Sequence, residues 1–253
     1  MNFLDIIKEK IEKEKKVKLE RFEKPLPLSD FIANRSGIIG EFKRGTPKRK
    51  FKIEFLPEEI ASIYEKYNFS AVSVVVESQF FSTTVEDLKR IKSSVSVPVI
   101  QKGFIIRESQ IIEARNNGAD SVLLIARLLE RENLLNLLQI CHELHMEPLV
   151  EVFSMEDVEK ISDLPVKIIG INNRDLSTLE VNLENGEKIL SLLNKKGIGN
   201  LKIIESGLKK PEDIIRFKGN GADGFLIGSA FLEDSEIEKK VKEFSEVIEK
   251  WQK

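Results

Sequence analysis

Val97-Pro-Val-Ile-Gln-Lys-Gly-Phe-Ile-Ile-Arg-Glu-Ser-Gln-Ile-Ile-Glu-Ala-Arg-Asn-Asn-Gly-Ala-Asp-Ser-Val-Leu-Leu-Ile125 spans one complete structural unit. An aliphatic run at 97–101 is followed by 108–117, where apolar residues recur near i, i+3 and i+4, and then by a second aliphatic run at 121–125. Short β-branched runs read as strands and the helical period as an amphipathic helix, so the stretch predicts strand, helix, strand. A helical crossover is the usual link between parallel strands. The same alternation extends in both directions, with strands predicted over 38–42, 71–76, 97–101, 121–125, 147–152, 166–171, 201–204 and 224–227. Helices are predicted over 58–67, 108–117, 130–144, 184–193 and 211–220. Eight βα units in 253 residues fit a (β/α)8 TIM barrel, an α/β fold, better than a doubly wound sheet, which has fewer strands and a Gly-rich first turn. No G-x-G-x-x-G occurs. Residues 1–36 precede the first strand and read as an amphipathic helix, a break at Pro25-Leu-Pro27 and a short helix capped near Ser29. Such an N-terminal helical extension would cover the barrel's bottom or lean over its mouth. With no second domain in view, 1–253 is expected to form a single barrel domain.

Composition excludes several functions. A chain of this length buries about three quarters of its unfolded surface, so neither metal nor disulfide is needed for a core. Its single cysteine, Cys141, cannot pair within the chain, which points to a reducing, cytoplasmic setting. The longest aliphatic runs, 72–76 and 122–126, fall far short of the roughly 20 residues that cross a bilayer. The N-terminus mixes Glu and Lys at helical spacing without an apolar h-region, so neither a targeting peptide nor a membrane partner is expected. Lys+Arg 40 against Asp+Glu 42 gives a net charge of −2, and any nucleic-acid footprint would have to be local. The basic run Lys48-Arg49-Lys50 lacks interleaved aromatics and reads better as a solvated flap over an anionic substrate. His142 and His145, on a predicted outer helix with Cys141, read as surface residues; two histidines without a third ligand do not make a metal site. The 32% charged content suits a salt-tolerant or thermophilic surface, and a monomer is expected.

In a barrel of this kind the chemistry sits at the C-terminal ends of the strands. Here those ends are polar. Strand one runs into Glu41-Phe-Lys43, strand two into Glu77 and strand three into Lys102, while strand five carries Glu151. Strand six runs through Asn172 toward Arg174, strand seven into Glu205-Ser206-Gly207 and strand eight into Gly228-Ser229. Period-two alternation puts Glu41 and Lys43 on one face and Phe42 on the other. Any one of these is the ordinary solvated residue of a loop; several charges converging from different strands need partners and suggest a site that holds and transfers protons. Small residues after strands seven and eight are common, yet those two loops form the recurrent phosphate site of the fold.

Six motifs together carry a resemblance: 41–47 (Glu-Phe-Lys-Arg-Gly-Thr-Pro), 98–104 (Pro-Val-Ile-Gln-Lys-Gly-Phe), 149–152 (Leu-Val-Glu-Val), 170–175 (Gly-Ile-Asn-Asn-Arg-Asp), 205–207 (Glu-Ser-Gly) and 225–229 (Phe-Leu-Ile-Gly-Ser). In order and spacing they resemble indole-3-glycerol phosphate synthase of tryptophan biosynthesis, across nearly the whole chain. The resemblance implies closure of the indole ring of 1-(2-carboxyphenylamino)-1-deoxyribulose 5-phosphate with loss of carbon dioxide and water, without metal or organic cofactor. It implies Lys102 as general acid, Glu151 as base, and Glu41 with Lys43 in proton transfer and dehydration. Asn172, Arg174, Glu205 and Ser206 match substrate-binding positions, and Gly207, Gly228 and Ser229 match the phosphate end.

The sequence departs from that pattern around the lysine. The family's Lys-Asp-Phe is Lys102-Gly103-Phe104 here, so a carboxylate expected to orient or charge-balance the lysine is missing. After strand two the usual Thr-Glu or Thr-Asp is replaced by Val76-Glu77, and Thr46 stands where the family has serine. Two alternatives follow. One is another phosphate-binding barrel, such as phosphoribosylanthranilate isomerase or the tryptophan synthase α type, although the isomerase would place a cysteine where this chain has Glu41. The other is a divergent or engineered barrel that binds phosphate with weak or altered activity.

Overall fold

Two prolines set where two of the strands begin. The computed structural model describes residues 17–21, 23–47, 49–51 and 55–251. Its barrel strands are β1 (Ile38–Phe42), β2 (Ala71–Val75), β3 (Val99–Lys102), β4 (Ser121–Ile125), β5 (Leu149–Val152), β6 (Ile168–Asn172), β7 (Leu201–Glu205) and β8 (Gly224–Ile227). The predicted third and fifth strands began at 97 and 147, but Pro98 and Pro148 have no N–H for the ladder, and β3 and β5 start after them. At their other ends β3, β6 and β7 each run one residue further than predicted, taking Lys102, Asn172 and Glu205 into the ladder. Val75 is paired with Lys102 and Asn172 with Glu205, so these polar groups sit on hydrogen-bonded strand rather than on loops.

The eight strands are parallel, neighbours in sequence are neighbours in space, and β8 closes on β1. Around them run α1 (Leu28–Asn34), α2 (Pro57–Lys66), α3 (Val85–Ser94), α4 (Glu108–Asn116), α5 (Arg131–Glu143), α6 (Met155–Ile161), α7 (Leu183–Lys196), α8 (Pro211–Lys218), α9 (Ser229–Leu232) and α10 (Ile237–Trp251). Apolar period did not single out α3 and α6, but Thr84 with Asp87 and Ser154 with Asp157 form capping boxes at their starts. Alternation divides the apolar residues into two clusters. Ile38, Phe42, Val72, Val99 and Phe225 face the helices, while Ile39, Ile100, Leu123, Leu149, Ile168 and Ile203 fill the barrel. Cys141 is packed in the outer cluster on α5. No helix among the described residues is long and apolar enough to cross a membrane.

The N-terminal extension closes the bottom of the barrel. Leu28 and Ile32 of α1 belong to the interior cluster, where full burial of each stabilises the fold by roughly 1.5–3 kcal/mol. Ser29 lies inside the first turn of α1 rather than capping it. Its backbone N–H and its hydroxyl both donate to the Glu147 carboxylate, at 2.7 and 2.9 Å, just ahead of β5. The helix expected over the first residues of the extension falls on 1–16, outside the described residues. At the opposite end, Gly45–Thr46 pairs antiparallel with Arg49–Lys50, so the loop after β1 carries a small ribbon, and Arg49 is ion-paired to Glu233 beyond α9 at 2.8 Å.

Candidate active site

The inward register that fills the barrel with Ile39, Ile100, Leu149 and Ile203 turns polar two residues later on each strand. Glu41, Lys102, Glu151 and Glu205 follow them toward the C-terminal end, with side chains almost wholly withdrawn from water. Charges so placed are expensive unless paired. Lys102 Nζ lies 2.6 Å from Glu205 Oε2 and 3.5 Å from Glu41 Oε2, and Lys43 Nζ donates to Glu41 Oε1. The backbone carrying Glu41 is fixed from outside: the Tyr64 hydroxyl donates to its carbonyl at 3.2 Å. The Tyr64 ring fills the space a side chain at Gly40 would need.

The pairings set the protonation states. Burial alone would raise the Glu41 carboxyl, but Lys43 and then Lys102 hold it down at about 2. Burial works against the Lys102 ammonium, yet the charges of Glu205, Glu41 and Glu151 outweigh it and hold the proton more tightly than on a free lysine. Glu151 is pushed up to about 7, first by burial and then by the neighbouring Glu205 charge, against the opposing pull of Lys102 and a hydrogen bond from Asn172. Near neutrality the site therefore holds a fixed ammonium, a fixed carboxylate and a carboxyl poised to gain or lose a proton.

Above this cluster opens a cavity of about 750 Å³. Glu41, Lys43, Lys102, Glu151, Asn172, Arg174, Ser206, Gly207, Gly228 and Ser229 all line it. Glu205 does not; its carboxylate lies underneath, against Lys102. Phe81, Phe104, Leu123, Ile125 and Leu176 give the cavity an apolar part of its lining, a feature with no sequence signal because it comes from four different segments. Arg174 is steadied from two sides: its N–H donates to Asn172 Oδ1 at 2.9 Å and its guanidinium to the Leu179 carbonyl at 2.8 Å. Lys209 and Lys240 also line the cavity, as do Glu233 and Asp234, and Lys240 is ion-paired to Glu243 at 2.9 Å.

Successive residues after β7, Ser206 and Gly207, take positive φ values of 65° and 79°. Such a turn directs backbone N–H groups to one side, as in anion-binding nests. Asn173 holds it. Wholly buried and one residue beyond β6, it donates through Nδ2 to the carbonyls of Glu205 at 3.0 Å and Ser206 at 2.9 Å. Sequence reading gave Asn173 no role; its position beside Asn172 on the outward parity was the available signal.

Gly103 does not leave Lys102 without a charge partner, as the sequence had suggested. Glu205 and Glu41 already brace the ammonium from across the barrel, a balance that depends on strand closure and not on the next residue. A Cβ at position 103 would meet only the Val76 carbonyl, at 3.3 Å. Cys141, by contrast, is chemically quiet, its thiol pushed up to about 12 by burial.

Among solved structures, the fold is similar to 3-hexulose-6-phosphate synthase of Salmonella typhimurium, with a TM-score of 0.65 over 85% of this chain and 99% of that one. It is also similar to a chain of the Pyrococcus furiosus tryptophan synthase α2β2 complex, with a TM-score of 0.63 over 83% and 98%. Identities of 13% and 14% make these likenesses of fold alone. Sequence similarity is more specific. The chain is 38% identical over 206 residues to indole-3-glycerol phosphate synthase of Aquifex aeolicus, covering 81% of this chain and 80% of that protein. The synthase of Sulfurisphaera tokodaii is 37% identical over 243 residues, 94% of this chain and 95% of the relative. The family profile itself matches residues 5–244, and the chain belongs to the indole-3-glycerol phosphate synthase family, carboxy-lyases of tryptophan biosynthesis.

Proposed function

We propose that residues 1–253 act as a single barrel domain, a cytoplasmic monomer, in which Lys102, Glu151, Glu41 and Lys43 carry the ring closure. The observation that supports this most directly is the Lys102 ammonium, braced by Glu205 and Glu41 on the floor of the cavity. A new bond joins the aromatic carbon that bears the carboxylate to the ribulose carbonyl carbon. The carbonyl oxygen gains negative charge, and Lys102 Nζ gives it a proton. Breakage of the carboxylate's carbon–carbon bond then releases carbon dioxide. In the final step the hydroxyl leaves as water, protonated by Lys43 with Glu41 at its side, while Glu151 takes a proton from the ring system. Arg174 engages the substrate carboxylate, and Asn172 orients both Arg174 and Glu151. Ser206, Gly207, Gly228 and Ser229 receive the phosphate through backbone N–H groups. Steps of this kind are proton transfers and bond polarisations by side chains, and the proposal assigns none to a metal or cofactor, nor any role to nucleic acid or membrane.

The direct test is indole fluorescence on mixing with the carboxyphenylamino substrate: a steady rise is expected, and tight binding without a rise would make the protein a binder. For the anion end, crystals grown in phosphate or sulfate should show the anion beside the loops after β7 and β8. Density at the α1 end of the barrel instead would overturn that placement.

Gly103→Asp is a separate test. Because Lys102 already has two carboxylates, the substitution is expected to leave kcat within about threefold, as for a group that adds no transition-state contact. An added negative charge at the cavity should raise KM for a substrate that carries both a carboxylate and a phosphate, most visibly at low salt. A severalfold rise in kcat would show that the lysine is held too loosely in the native chain.

A further inference from the structure

Gly170 lies in the middle of β6, opposite Glu151 on β5 and Ile203 on β7. By alternation it faces the barrel interior between Ile168 and Asn172, where its neighbours carry side chains. A Cβ built there would fall 2.0 Å from Glu205 Oε1 and 3.1 Å from its carboxyl carbon. A real Cβ essentially never lies within 3.0 Å of such an atom, so the carboxylate occupies space that exists only because residue 170 is glycine. Glu205 is 1% exposed, and that same Oε1 has no hydrogen-bond partner among the described residues. Its other oxygen bonds Lys102 at 2.6 Å. Apart from the lysine, then, what fixes the carboxylate is the shape of the notch over Gly170. Glu41, the second acid bracing Lys102, is seated likewise: a Cβ at Gly228 would lie 2.7 Å from its Oε1.

We propose that Gly170 is a positioning residue for the reaction, whose missing side chain seats the Glu205 carboxylate and, through it, the Lys102 ammonium. The proposal rests on the reading of Lys102 as proton donor. A methyl group at 170 must push Glu205 aside by more than an ångström, and Lys102 either follows it or loses it. The atoms nearest such a methyl group belong to Glu205 and Leu149, and none belongs to the turns after β7 and β8. The effect should therefore fall on kcat rather than on KM.

The test is a double-mutant cycle between Gly170→Ala and Glu205→Asp. Gly170→Ala is expected to lower kcat by about 10²-fold, the scale of an ångström's misplacement, with KM changed by less than about threefold. Glu205→Asp shortens the acid by one methylene and should also lose rate, because the carboxylate no longer reaches Lys102. In the double variant the shortened acid clears the new methyl group, so kcat should exceed the product of the single effects by at least about tenfold. Rate losses that simply multiply, or an unchanged kcat in Gly170→Ala, would overturn the proposal. If Gly170→Ala does not fold, the double variant still decides: folding with turnover supports the notch, and failure to fold overturns it. Coupling of the two substitutions in the denaturation midpoint but not in kcat would remove the positioning role. Lys102→Met that retained its turnover would instead remove the reading of the lysine.

Discussion

Lys102→Ala should lower kcat by about 10²–10⁴-fold, the range of a positioned general acid, while KM moves by less than about tenfold. The split follows from the role: Lys102 sits on the cavity floor against Glu205 and Glu41, and a proton donor placed there acts mainly in the transition state. The substitution also strands Glu205, whose Oε2 is hydrogen-bonded to Lys102. Breaking a buried pair from one side costs about 3–5 kcal/mol, so the melting temperature should fall as well. Lys102→Met retains volume and serves as the control for lost packing. Fluorescence-detected turnover and a thermal melt on each variant check both effects. More than about a tenth of the native kcat in a folded variant would take Lys102 out of the mechanism.

Glu151→Gln is expected to cost a similar factor, about 10²–10⁴ in kcat, and to change the pH profile in a specific way. As a base Glu151 works ionised, and burial with the Glu205 charge pushes its carboxyl up to about 7. The native kcat/KM should therefore rise with pH and level off above that value, and the glutamine variant should lose this rise. Stability should run the opposite way. A carboxyl raised above its unfolded value favours the protonated fold; its contribution is complete below the ordinary 4.5 and is lost as pH climbs through about 7. Glutamine cannot ionise, so the variant should gain melting temperature relative to the native chain at pH 8 and gain little at pH 5. Glu41 behaves inversely. Held at about 2, it supports the fold above 4.5 and withdraws that support only as pH falls through about 2. Equal melting temperatures of Glu151→Gln and the native chain at pH 8 would show that the carboxyl ionises without strain.

The barrel was legible because its signals are local. Period-two and helical patterns each need only a dozen residues, and the strands at 38–42, 121–125 and 224–227 were read to the residue. Strand starts were misread at Pro98 and Pro148, where apolar character continues but the donor does not. The identities of Glu41, Lys102 and Glu151 as inward groups followed from strand ends alone. Their partnerships did not. Lys102 and Glu205 are 103 residues apart and meet only because β3 and β7 face each other across a closed barrel. For the same reason Gly103 looked like a missing partner from the sequence, when the charge balance comes from across the barrel. Asn173 and Gly170 sat within a recognised motif, yet what each does depends on β7 lying alongside β6.

The plug formed by α1 also fixes an order of events at the ribosome. Ser29 emerges early, but its acceptor on Glu147 lies 118 residues later. At about 5–20 residues per second the helix waits on the order of 6–24 s before its dock exists. During that interval Leu28 and Ile32 have no barrel interior to enter, and the last seam, β8 against β1, needs Ile227 to have left the tunnel. While those 118 residues are being made, the nascent chain thus carries the apolar face of α1 with no seat for it.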